Sequence, residues 1–175
     1  MNLQPGSTVV HPHHGPATVV GRFARTVRGE SVEYVDLAVH GGTLKVSVPA
    51  ARADEIGIRD LPDSGELHRF AEVLCGPSTP EESQWSRRIK AQRELLISGD
   101  PVKLAGLVRD LLRRGERSPL GTAEKDLLRQ ASGPLMAEVA LSVGCDEESA
   151  YEVTRRLALG ESADVLATLP EPACA

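Results

Sequence analysis

The stretch Ser83-Gln84-Trp85-Ser86-Arg87-Arg88-Ile89-Lys90-Ala91-Gln92-Arg93 sets the only tryptophan of a 175-residue chain at the head of a run of cations. On a helix, Trp85, Ile89, Gln92 and Leu96 share one face, the spacing of an amphipathic stripe. Arg87 and Lys90 lie three residues apart on a flanking face, where both could reach one phosphate backbone, and Arg88 adds a third cation to that turn. Two readings stay open on these residues. Trp85 is either the first core residue of the stripe, the commoner fate of such a residue, or a ring left outside the bundle. In the second case it wedges against a base while the cations and the helix N-terminus hold phosphates.

Other residue patterns offer less. In His11-Pro12-His13-His14 the first and third imidazoles share one face of a strand, the beginning of a metal site. No Cys, Asp or Glu lies near enough in sequence to complete it, so a polar turn between strands is the better reading and no metal or other cofactor is expected. There is no G-x-S-x-G, P-loop, G-x-G-x-x-G, H-E-x-x-H or placeable carboxylate pair. An enzyme with a small-molecule substrate is therefore not expected. Cys75, Cys145 and Cys174 lie far apart without a pairing pattern, which suits free thiols in a reducing compartment. No stretch approaches a membrane span and no signal peptide is evident, so the expectation is a cytoplasmic protein without membrane contact.

Net charge is −5, which alone argues against a nucleic-acid partner, but its distribution is uneven. Residues 1–70 hold 7 Lys/Arg and 8 Asp/Glu, residues 85–129 hold 11 and 6, and residues 130–175 hold 2 and 8. A basic block followed by an acidic segment suits phosphate contact better than the whole-chain figure does.

The elements that would position these residues fall into two sets, an α+β arrangement. Residues 8–11, 17–23, 32–39 and 43–48 are rich in β-branched residues between turn formers and read as strands, with a fifth short one at 58–61. Val32, Tyr34, Asp36 and Ala38, and Leu44, Val46 and Val48, alternate with their neighbours as on a half-buried sheet. Gly41-Gly42 reads as a two-residue hairpin turn, and Arg28-Gly29-Glu30-Ser31 closes a longer hairpin. Together these predict a small Tudor- or SH3-like β-barrel over residues 1–62.

From residue 63 the period becomes helical. One helix starts near Ser64, a second after an N-cap at Ser83, and a third with Asp100 as cap and Pro101 at its first position. A fourth from Thr122 is broken at Gly133-Pro134, and Asp146 caps a last one. An all-helical module of four to five helices over 63–160 and a loose tail over 161–175 complete the expected organisation.

The ordered set Val9-Val10-His11-Pro12-His13-His14-Gly15, Tyr34, Val46-Ser47-Val48-Pro49-Ala50, Gly57-Ile58-Arg59-Asp60 and Trp85-Ser86-Arg87-Arg88-x-Lys90 resembles the actinobacterial CarD/CdnL family of RNA polymerase-binding transcription regulators. The resemblance runs from about residue 5 to about residue 157. It implies a Tudor-like module, shared with the transcription-repair coupling factor, that docks on the RNA polymerase β subunit partly by sheet-edge pairing. It also implies a helical module at the upstream edge of the promoter DNA bubble, placing the protein on the nucleoid through the polymerase. There a tryptophan matching Trp85 wedges into the minor groove beside cations matching Arg87, Arg88 and Lys90, and Lys125 matches a further basic position. Arg25 matches a basic residue used on the polymerase. Ser47 stands where close relatives carry arginine, and Lys45, two residues earlier on the same strand face, is placed to compensate. The alternative is a divergent paralogue that binds the polymerase as a protein-interaction module with weak or no DNA contact.

Overall fold

The computed structural model describes residues 1–161. Of the expected tail over 161–175 only Glu161 is described; the rest, with Cys174, lies outside the described residues. Two compact units meet in sequence between Leu61 and Pro62. Among the described residues no helix is long and apolar enough to cross a membrane.

The first unit is one antiparallel sheet of β1 (Thr8–His11), β2 (Gly15–Val27), β3 (Glu30–Val39), β4 (Lys45–Pro49) and β5 (Arg59–Asp60), in the order β4-β3-β2-β1-β5. A 3₁₀ turn (Ala50–Arg52) and a one-turn helix, α1 (Ala53–Ile56), join β4 to β5. β4 and β5 are the two edges, so the sheet is open rather than a closed barrel. The tight turn lies at Arg28-Gly29, between the paired Val27 and Glu30, with φ of 52° and 87°. Two successive positive φ values match the right-handed twist of the flanking strands, and glycine reaches the second without a Cβ clash. The Gly41-Gly42 region, expected to be the two-residue turn, is a longer loop, because pairing resumes only at Ala38 with Lys45.

The buried face of β3 is the reverse of the expected one. Val35 and Leu37 are fully buried and pair with Val48 and Val46, whereas Tyr34, Asp36 and Ala38 face outward. Both faces of β3 carry apolar residues, so alternation alone could not choose between them. A bulge between Val19 and Gly21 then leaves Val20 exposed and shifts the faces of β2. Leu44 is likewise exposed, lying in the loop before β4. Val9, Ala17, Val19, Val35, Leu37, Val48, Ala53 and Ile58 form the core of this unit.

Among the described residues the second unit has five helices: α2 (Ser64–Cys75), α3 (Trp85–Ser98), α4 (Pro101–Arg117), α5 (Thr122–Val143) and α6 (Glu147–Ala158). Asp63 and Glu66 close a capping box on α2, Asp100 accepts from Val102 N–H and Lys103 N–H ahead of Pro101, and Asp146 accepts from Ser149 N–H. Ser83 does not cap α3; Gln84 takes that position and supplies no side-chain bond. Nor does Gly133-Pro134 break α5, which runs 22 residues through it. Proline removes only the bond to Gln130 C=O, on an exposed residue where water can replace it. Meanwhile Ala131, Leu135 and Met136 on either side stay buried in the helical core. That core centres on α4, through Leu104, Ala105, Leu107, Val108 and Leu111.

His11 is the one histidine buried in the sheet unit among the described residues. His13 N–H donates to its Nδ1 at 3.2 Å, and the His14 and His13 rings lie 4.5 and 6.0 Å away between centroids. Burial first, then the neighbouring His14 and His13, lowers its pKa from 6.5 to about 4. The unfolded chain therefore takes up this proton first as pH falls. The stability linked to His11 is complete above about pH 6.5 and is lost progressively towards pH 4. Amide exchange of β2 and β3 in the full chain should accelerate between pH 6.5 and 5, after correction for intrinsic rates. His11→Asn, which keeps an acceptor for His13 N–H but does not titrate, should flatten that dependence; an unchanged slope would remove His11 as its source.

Candidate nucleic-acid interface and outward sheet face

Trp85 is the first residue of α3, and 58% of it is exposed. The apolar stripe enters the core one turn later, at Ile89, with Leu95 and Leu96 packed at its margin. The core reading of Trp85, open on sequence grounds, is therefore not realised. Arg87 and Arg93 are exposed, and Lys90 is largely exposed with its Nζ 4.0 Å from Glu94 of the next turn. A surface pair of that kind holds a side chain only weakly. Lys125 is exposed in the first turn of α5.

Arg88 differs from its neighbours. Its side chain is only 11% exposed, with Nε donating to Glu124 Oε1 at 3.2 Å and Nη1 to Glu82 C=O at 3.0 Å. Expected among the phosphate-binding residues, it is turned inward by this pairing. Glu124 also accepts from Arg114 Nε at 2.8 Å on Oε1 and from Gly121 N–H at 3.1 Å on Oε2. Burial pushes the Glu124 carboxyl up, but Gly121 N–H and the guanidinium groups of Arg114 and Arg88 outweigh it. The group stays below its ordinary range and is ionised at neutral pH. Because Glu124 belongs to the first turn of α5 and Arg88 to that of α3, the starts of these helices, with Lys125 and Trp85, are tied together.

The loop over residues 76–84, which delivers the chain to Trp85, is strapped to α4 by arginines. Arg109 donates to Asp110 at 2.8 Å, Val73 C=O at 2.9 Å and Thr79 Oγ1 at 3.2 Å. Arg113 donates to Gly76 C=O at 2.8 Å, Leu74 C=O at 3.1 Å and Ala158 C=O, satisfying carbonyls at the ends of α2 and α6. Thr79 N–H donates to the Asp110 carboxylate, and Glu81 pairs with Arg88, Arg114 and Arg117. Much of the basic block between residues 85 and 129 therefore serves the fold. The sequence reading missed Glu81, Arg109, Arg113, Arg114 and Glu124 in these roles. The one local cue was Glu124 three residues after Gly121, a helix-start spacing.

In the sheet unit the register places Arg25, Lys45 and Ser47 on one surface. They pair with Val32, Ala38 and Asp36, alternate residues of β3 on the face opposite Val35 and Leu37. Phe23 and Tyr34 stack between Arg25 and Ser47, with ring centroids 5.6 Å apart. Ser47 Oγ donates to Asp36 Oδ1 at 2.5 Å. Lys45 and Ser47 are exposed on β4, an edge strand whose outer polar groups are open to another strand.

Residues 3–61 match the CarD-like/TRCF RID domain, and residues 69–155 match the CarD C-terminal domain. A curated protein of Bacillus subtilis (strain 168), named "Putative transcription factor YdeB", is 23% identical over 146 residues, covering 83% of this chain and 95% of that protein. A RID sheet unit followed by a CarD helical unit defines a non-enzymatic transcription regulator with RNA polymerase as its general partner. The chain belongs to the CarD/CdnL family.

Proposed function

We propose that the protein binds the β subunit of RNA polymerase through its sheet unit and stabilises open promoter complexes through its helical unit at the upstream edge of the DNA bubble. The carrying observation is the exposure of Trp85 on the uncapped first turn of α3. A large aromatic held in water on a fixed helix end suits an anchor for a partner surface. Trp85 wedges against the base step, as apolar minor-groove residues do. Arg87, Lys90 and Lys125 take phosphates, joined by the N–H groups that open α3. Arg88, drawn inward, holds the turn instead. On the polymerase side, Arg25, Lys45 and Ser47 meet the β subunit, and β4 offers an edge for strand addition.

Trp85→Ala should shorten the lifetime of the open complex on the order of ten-fold, the scale of a lost aromatic anchor, while polymerase retention persists. An unchanged lifetime and unchanged DNA protection would remove Trp85 from the interface.

The inward commitment of Arg88, Arg109, Arg113 and Arg114 favours a second reading, a polymerase-binding module with little DNA contact. Salt dependence separates the two. With three phosphate contacts, log affinity for the polymerase–promoter complex should fall with log salt about two to three units more steeply than affinity for polymerase alone. Equal slopes would favour the protein-only reading.

Ser47→Arg should raise retention on immobilised polymerase on the order of ten-fold, the scale of one charge-assisted contact regained. No gain would make Ser47 neutral at that surface.

A further inference from the structure

We infer that Glu124 is the positioning residue for Trp85: its buried carboxylate grips Arg88, three residues beyond the tryptophan, and so determines where the first turn of α3 stands. This rests on the reading of Trp85 as the DNA contact given above.

Glu124 is 2% exposed, and each of its oxygens has a donor, from α3, from α4 and from its own helix start. Arg88 is the only residue of the first turn of α3 drawn inward. Trp85, Ser86 and Arg87 are all exposed, and Gln84 makes no side-chain cap. Ile89 anchors the next turn apolarly but leaves the start of the helix free to fray. The Arg88 fork closes that gap by reaching Glu124 with Nε and Glu82 C=O with Nη1, fixing the helix start and the loop before it together. Glu81 lies 3.5 Å from the same guanidinium and also pairs with Arg114, so the two carboxylates and two guanidiniums form a closed alternation. Lysine at position 88 could not span both acceptors, because its ammonium is a point charge on a flexible stem.

Trp85 is the chain's single tryptophan, so its fluorescence reports this turn alone. The test uses the full-length protein with Glu124→Gln, which keeps the shape and removes the charge. We expect the variant to melt cooperatively, Trp85 anisotropy to fall and its acrylamide quenching constant to change. Open-complex lifetime should shorten on the order of three-fold or more, the scale of coupling between residues in one network. Combined with Trp85→Ala, Glu124→Gln should add nothing further, because both act through the same ring. Wild-type Trp85 spectroscopy would overturn the proposal. So would an unchanged lifetime where Trp85→Ala shortens it, or losses that simply add. Should Glu124→Gln fail to fold, Arg88→Lys is read by the same measurements, with the same outcomes deciding. If Trp85→Ala itself leaves lifetime unchanged, the DNA reading fails, and Trp85 spectroscopy of Glu124→Gln still decides whether Glu124 holds the turn.

Discussion

The helical unit is organised around the ionised carboxylate of Glu124, which lies where α3 begins, α4 ends and α5 begins. An anion at that depth is tolerated because its oxygens meet two guanidiniums and a backbone N–H. Leaving one partner unmatched in such a cluster costs about 3–5 kcal/mol, whereas replacing the whole cluster by apolar side chains is often neutral. Its contribution is therefore geometric more than energetic. It ties the starts of α3 and α5 and the last turns of α4 to one anion.

The arginines of α4 extend the same logic. Arg109 and Arg113 reach the carbonyls that end α2, and Arg113 reaches the end of α6 as well. Unsatisfied C=O groups at a buried helix end are costly, and a guanidinium near a helix C-terminus also meets the negative end of the helix dipole. The 76–84 loop thus lies against α4 under polar control, and Trp85 emerges from it onto the surface. The cations left exposed near the α3 and α5 starts, Arg87, Lys90, Arg93 and Lys125, form a smaller set than the local charge count suggests. A chain of net charge −5 can in this way keep cations exposed without being basic overall.

The sheet unit separates its tasks by face. Apolar alternate residues of β3 and β4 build the core, while the outward set carries Arg25, the Phe23–Tyr34 stack, the Ser47–Asp36 bond and Lys45. The long β2–β3 hairpin turns at Arg28-Gly29 and carries Arg25 and the Phe23–Tyr34 stack of this surface. Ser47, bonded to Asp36, is neutral where a cation is expected, so the charge of this surface depends more on Arg25 and Lys45.

The sequence alone determined what depends on local chemistry: the two-part α+β organisation, the strand segments, the caps at Asp100 and Asp146, and the family resemblance carried by ordered motifs. These follow from periodicity, turn residues and side chains that reach no farther than their own helix turn. Tertiary structure decided what depends on competition among distant partners. The buried face of β3 was illegible because both faces are apolar and only its register with β2 and β4 chooses. Pro134 looks like a break in the sequence because the packing that carries α5 through it is non-local. Arg87 and Arg88 are identical in sequence terms, yet one faces water and the other is drawn inward by Glu124, 36 residues away. A guanidinium's role follows from which carboxylate the fold brings within reach, and composition cannot supply that.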